Sequence, residues 1–251
     1  IGIIEQVAPP ALQESYDNAG IQVGDVASTV TGVLLCLDVT EAIVDEALAM
    51  GANLIVSHHP LLFKGLKRIT GNTYIERVVM KALRGGISIY AAHTNLDATL
   101  VNRYWAQMLG LVDVEILQPV TSMLVKMVVY VPSAHTAKLK QVLCEAGAGS
   151  IGNYDCCSYV MQGEGSFRPG AEAHPYCGEV GVVHHEPEDR VEVILPRYRL
   201  AGVLKAMLAV HPYEEPAYDI IPLENEWQAA GSGVIGNLPQ ECGAIDFLMP
   251  L

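Results

Sequence analysis

The sequence contains no CxxC pair, no HExxH, no GxSxG and no glycine loop ending in Lys-Ser or Lys-Thr. These absences exclude the common zinc-finger spacing, the zincin helix, the serine-hydrolase elbow and the P-loop. No apolar run approaches the ~18–20 residues that a membrane-spanning helix needs. Three Phe and two Trp are too few to predict stacking platforms for single-stranded nucleic acid. Basic residues are also scarce, 15 Lys and Arg against 28 Asp and Glu, for a net charge of −13. A field of that sign disfavours nonspecific binding to nucleic acid or to an anionic membrane. No initiator Met opens the chain, and Ile1 to Ile4 runs straight into Glu5 with no signal-peptide pattern. The six cysteines are therefore expected to be free thiols in a reducing cytoplasm, with Cys36 a buried small hydrophobe.

What is present is a well-cored globular composition, 51% hydrophobic and 17% charged, long enough for one large domain or two ordinary ones. Strands are predicted at 32–37, 53–57 and 87–92, alternating with helices at 41–50, 74–84 and 102–109. Continuous apolar strands alternating with helices predict a mainly parallel sheet covered on both faces. After Pro119 the pattern becomes strand 125–131, helix 135–146, strands 154–161 and 190–195, helix 198–209 and strand 217–223. That is the β-α-β-β-α-β order of a ferredoxin-like domain, with 163–178 read as a loop.

Chemistry is expected at two predicted strand ends. His58-His59-Pro60 follows one strand, and His93-Thr94-Asn95-Leu96-Asp97 follows another. The carboxyl edge of an open α/β sheet is where sites are built. Three imidazoles and a carboxylate suit zinc, manganese, iron or nickel better than calcium or magnesium. Adjacent residues on a strand point to opposite sides, so His58 and His59 are expected either to divide their work between two ions or to be swung inward together by a loop, with strand-edge geometry favouring the first. His93 and Asp97, four apart, would share one helical face. Asp38 and Thr40 follow a third strand, where helix capping explains them equally well. Lys64, Lys67, Arg68, Arg77, Lys81 and Arg84 read either as a solvated helix face or as an anion-binding rim. His211-Pro212-Tyr213-Glu214-Glu215-Pro216 reads as a ligand group or a structural loop, and His184-His185-Glu186 as an exposed turn.

The runs Tyr16-Asp17-Asn18-Ala19-Gly20-Ile21-Gln22-Val23-Gly24, Leu37-Asp38-Val39-Thr40, Ser57-His58-His59-Pro60-Leu61-Leu62-Phe63-Lys64-Gly65 and His93-Thr94-Asn95-Leu96-Asp97 together resemble the GTP cyclohydrolase I type 2 homologue family, or Nif-three-like proteins. Gly163 to Pro169 and His211 to Asp219 are similar to that family's inserted domain. The resemblance implies a two-lobed, mainly parallel α/β core with an inserted ferredoxin-like, CutA-like α+β domain. On this chain it places an N-terminal lobe at 1–120, the insert at 121–224, and the start of a largely missing second lobe at 225–251. It implies two divalent cations, with His58, His59 and Asp97 as ligands and His93 as a proton-carrying neighbour. The remaining ligands, a His and a Glu four apart, are expected beyond Leu251. The implied activity is a metal-dependent hydrolase acting on a small molecule, with GTP or another nucleotide or phosphoester as candidates, in a cytoplasmic homo-oligomer, often a hexamer. The alternative is a non-catalytic metal-binding regulatory protein that assembles through the insert.

Overall fold

The computed structural model describes residues 1–248. In chain order the first elements are α1 (Gly2–Val7), β1 (Gly20–Val23), β2 (Val33–Cys36), α2 (Glu41–Met50), β3 (Leu54–Ser57), α3 (Tyr74–Arg84), β4 (Ser88–Ala91), α4 (Thr94–Leu96), α5 (Asn102–Met108) and β5 (Val112–Val120). They are followed by β6 (Leu124–Pro132), α6 (Thr136–Glu145), β7 (Tyr159–Phe167), β8 (His184–Pro196), α7 (Leu200–Val210), β9 (Tyr218–Pro222), β10 (Trp227–Asn237) and α8 (Ala244–Leu248). Two units emerge, one of 1–118 together with the chain from Ala230 onward, the other Pro119–Ala229. Of the stretch 225–251, residues 249–251 lie outside the described residues. None of the described helices is long and apolar enough to cross a membrane.

In the first unit the sheet order is β1-β4-β3-β2. The β2–β3 and β3–β4 pairs are parallel, and β1 adds an antiparallel edge on β4. Side-chain alternation divides the core between the two faces. Ile55 and Ile89 pack with Val44, Ala47, Val78, Val79 and Ala82 of α2 and α3. Leu54 and Tyr90 turn the other way, with Ile1, Ile4 and Leu96 packed against them. Burial of one such aliphatic side chain contributes about 1.5–3 kcal/mol.

Sequence explains where these helices start. Thr40 and Thr73 accept hydrogen bonds from the amides of Ile43 and Glu76, capping α2 and α3. The Glu76 carboxylate accepts in turn from the Thr73 hydroxyl at 3.2 Å, so the cap and the third helical residue hold each other. Glu76 also accepts from the Thr70 amide and hydroxyl, both at 2.8 Å, and from the Asn72 amide at 3.1 Å. The Thr70 amide and hydroxyl lead in holding its carboxyl down to about 2 from 4.5, against the opposing pull of burial. Its stabilising contribution is therefore complete above about 4.5 and is lost as pH falls toward about 2. Glu76→Gln is expected to melt lower at neutral pH and to lose less on acidification through that window. Melting curves recorded against pH test this, and parallel acid limbs for the two proteins would refute it.

The second unit runs β-α-β-β-α-β, with sheet order β7-β8-β6-β9 and every pairing antiparallel. Val125, Met127, Val129 and Val131 of β6 and Val191, Val193 and Leu195 of β8 face Leu139 and Leu143 of α6 and Val203 and Met207 of α7. Three expectations need correction. Strand β7 begins at Tyr159 and continues to Phe167, into the stretch read as loop, and β8 begins six residues early, at His184 rather than Arg190. Pro187 lies inside β8, but β6 pairs with β8 only from Glu188 onward, so the missing N–H falls where β8 has β7 alone. Cys144 and Cys156 are joined in a disulfide, their Cα atoms 4.9 Å apart, whereas Cys36, Cys157, Cys177 and Cys242 are free. The helix end and the turn at Cys156, 12 residues apart in sequence, bring the two thiols together.

Candidate metal centre

Strand register assembles the site. Cys36, Ser57 and Ala91 stand side by side across β2, β3 and β4. Two residues further along each chain lie Asp38, His59 and His93. Backbone bonds continue past the strand ends, from His58 N to Cys36 O at 3.1 Å, His59 N to Leu37 O at 3.0 Å and Ala92 N to Ser57 O at 2.9 Å. The Ser57 hydroxyl donates to His59 O at 2.9 Å and turns the chain. Strand alternation therefore ends at Ser57, and the separation of His58 and His59 onto opposite faces does not occur. Their ring centroids are 5.2 Å apart, and His93 stands 5.1 and 5.8 Å from them.

Each imidazole is held by its Nδ1. His58 donates to Ala92 O at 3.0 Å, His59 to Asp38 Oδ1 at 2.8 Å and His93 to Asp17 Oδ1 at 2.9 Å. Acceptors at all three Nδ1 positions put the proton there and leave each Nε2 with a free lone pair. One ligand atom from each histidine falls within 4.8 Å of those of the other two. Asp97 stands outside that group, with Oδ1 3.7 Å from His58 Nε2. Its amide bonds to His93 O at 3.0 Å, closing one helical turn, and its carboxylate lies toward His58.

Asp17 is the residue that local reading misses. Its side chain is fully buried. Oδ1 accepts from His93 Nδ1 and from the Asn18 amide, and Oδ2 accepts from the Thr94 amide and hydroxyl. Burial raises its pKa, but the Thr94 hydroxyl, His93 and the two amides outweigh it and leave the carboxyl below its ordinary value. The same segment fastens the loop that follows His58 and His59. Asn18 Nδ2 donates to Leu62 O at 2.6 Å, and Gln22 Oε1 accepts from Leu62 N at 3.0 Å. The only sequence signal for these roles was the run Tyr16 to Gly24 itself, because Asp17 and His93 are 76 residues apart.

The basic stretch is divided. Arg77 pairs with Glu41 at 2.8 Å and Lys81 with Asp45 at 2.6 Å, joining α3 to α2. Lys64, Lys67 and Arg68 are exposed on the loop after the histidine pair. In the second unit, His211 is a structural residue. Its Nε2 donates to Tyr130 O at 2.9 Å and its Nδ1 accepts from Tyr213 N at 3.1 Å, and burial pushes its pKa down.

The donor set fits a divalent cation of the zinc class: three imidazoles, each held through Nδ1, and a carboxylate at the edge. Residues 1–249 match the Duf34/NIF3 (NGG1p interacting factor 3) family. A GTP cyclohydrolase 1 type 2 homolog of Halalkalibacterium halodurans is 41% identical over 250 residues, which cover 98% of this chain and 67% of that protein. One of Bacillus subtilis is 38% identical over 252 residues, with 99% and 68% covered. Among solved structures, the Bacillus cereus protein related to NIF3 superposes with a TM-score of 0.83 at 40% identity, over 98% of this chain and 66% of that one. The chain thus spans about two thirds of the length of these relatives.

Proposed function

The chain belongs to the Duf34/NIF3 family, and from that footing we propose that it is a divalent-metal-binding protein with hydrolase chemistry, its metal held by His58, His59 and His93. One observation carries this reading: three imidazoles, each fixed through Nδ1 by a carbonyl or a carboxylate, offer ligand atoms within 4.8 Å of one another. Asp97, on the His58 side, is left to serve a second ion, as a two-metal centre requires. Zinc, iron, manganese and nickel all suit such donors. A divalent cation bound there supplies Lewis acidity and lowers the pKa of water toward neutrality. The protein's part is to hold the imidazoles in one tautomer and to orient an anionic substrate, for which exposed Lys64, Lys67 and Arg68 are suited. Relatives named GTP cyclohydrolase 1 type 2 homolog make nucleotides the first substrates to try. The same reading takes the second unit as a ferredoxin-like domain inserted into a two-lobed core, supported by its β-α-β-β-α-β order.

His93 has two uses, as a nitrogen donor or as a base near neutral pH. Its ring spacing, like that between His58 and His59, supports the donor role. His93→Gln is therefore expected to lose bound metal and activity together. Elemental analysis of zinc-loaded protein, paired with hydrolysis of a panel of nucleotides and phosphoesters, reads both. Activity lost with metal retained would return His93 to proton transfer. A loaded protein inert toward the whole panel would end the hydrolase reading and leave the metal centre standing.

A further inference from the structure

A second cluster of metal-ligand type lies in the other unit. Cys177 sits on the loop between β7 and β8, and His184 and Glu186 open β8. One atom from each, a thiol sulfur, an imidazole nitrogen and a carboxylate oxygen, all fall within 4.8 Å of one another. His184 and Glu186 are two residues apart on a strand and so share a face. The loop brings Cys177 back over that face, and its course is built in. Gly181 N donates to Pro169 O at 2.9 Å. Gly178 has φ +82°, and a Cβ there would meet the His184 Cβ at 2.9 Å. The loop backbone is thus packed directly on the histidine beside the cysteine. Phe167 lies against the imidazole, with ring centroids 5.5 Å apart.

A bland account exists for two of the three residues. His184 Nε2 and Glu186 Oε2 are 2.8 Å apart and form an ordinary hydrogen bond. The thiol has its own contacts, a weak one with the Tyr213 hydroxyl at 4.0 Å and a hydrogen bond to the Glu186 carboxylate, and burial foremost holds its pKa above the ordinary value, so a bound cation has to displace its proton. All three residues are half-buried, which shields the group without closing it to solvent. A thiolate and a carboxylate would balance a divalent charge, and sulfur with imidazole selects zinc-class ions over magnesium or calcium.

We propose that Cys177, His184 and Glu186 form a metal site for a zinc-class divalent cation, separate in sequence and in chemistry from the imidazole cluster. Binding releases the thiol proton to solvent, moves the His184 ring proton from Nε2 to Nδ1, and replaces the His184–Glu186 hydrogen bond with two coordination bonds. Three protein ligands leave one position of a tetrahedron for water or a small ligand. A cavity of about 440 Å³ is lined by Phe167, Tyr176, Glu188 and Tyr213, and the first and last of these touch His184 and Cys177 through Phe167–His184 and Tyr213–Cys177.

Cobalt(II) titration tests the proposal, because only a thiolate ligand gives a sulfur-to-cobalt charge-transfer band in the near ultraviolet. The wild-type chain, with Cys144–Cys156 left paired, is expected to develop that band to saturation. Cys177→Ser should abolish it, and Glu186→Gln should shift the titration to higher cobalt while leaving the circular dichroism unchanged. His58→Ala, which disables the other cluster, should leave the band intact, so failure of either site is read separately. Cobalt binding with no thiolate band in the wild-type chain would overturn the proposal, as would a band that survives Cys177→Ser.

Discussion

Asp17→Asn is expected to weaken divalent-metal binding toward the upper end of the ~10–100-fold range for groups that orient a ligand, and Asp38→Asn toward the lower end. Both carboxylates do the same work, fixing a histidine tautomer through Nδ1. They differ in surroundings. The Asp38 side chain is 64% exposed, so water can replace it on His59. The Asp17 side chain is wholly buried and accepts at both oxygens. An asparagine can present its oxygen toward His93 and Asn18 or toward Thr94, but not both. In either orientation its NH₂ group faces a backbone N–H. The Thr94 hydroxyl can rotate, but the Thr94 amide cannot, and a buried donor left unmade costs about 1–3 kcal/mol. The variant should therefore lose thermal stability as well as affinity. Zinc competition against a chromophoric chelator, run beside melting curves, measures both. Unchanged affinity in Asp17→Asn would mean that something other than this carboxylate sets the His93 ring.

The contrast between the two aspartates also shows how far sequence reading reaches. His58, His59 and His93 are legible because each directly follows an apolar strand, and parallel neighbours put such positions at one edge. Asp38 is visible for the same reason, though capping competes for it. Structure gives the cap to Thr40 and the histidine to Asp38. Asp17 follows no strand, and its partner lies 76 residues away, so no local period reveals it. The same limit hides Cys177 with His184, which only a folded loop brings together. Strand β8 tolerates Pro187 because β6 does not pair with it there, which the sequence around 184–189 does not reveal. The β5–β10 ribbon was missed for a related reason, as Pro119 lies within β5 and four glycines or small residues interrupt β10 at Ala229 to Ser232. Continuous apolar strands carry their own signal, whereas mixed ribbons take theirs from a partner.

Gly24→Ala is expected to be among the most damaging single changes in the first unit, although it adds one methyl group. Gly24 has φ +109°, outside what an L side chain readily adopts. The added Cβ would stand 2.3 Å from Ser88 Oγ, 2.7 Å from its Cβ and 2.6 Å from its Cα. The backbone conformation alone costs about 1–3 kcal/mol, and overpacking against β4 adds about 1–3 kcal/mol more. The chain relieves this by lifting β1 from β4, a pairing that runs from Gly20 with Ala91 to Val23 with Ile89. The segment that leaves carries Asp17, Asn18 and Gln22, so metal affinity should fall with stability. A second change separates the causes. Ser88→Gly in the same chain removes the Oγ and Cβ clashes but not the contact at Cα, and should restore only part of the loss. Gly65→Ala is the control: it lies in the loop after the histidine pair, with nothing within 4 Å of its would-be Cβ. Its melting temperature should match the wild type. If Gly24→Ala melts with Gly65→Ala, β1 is not clamped through Ser88, and the fastening of both histidine loops must come from the hydrogen bonds of Asp17, Asn18 and Gln22 alone.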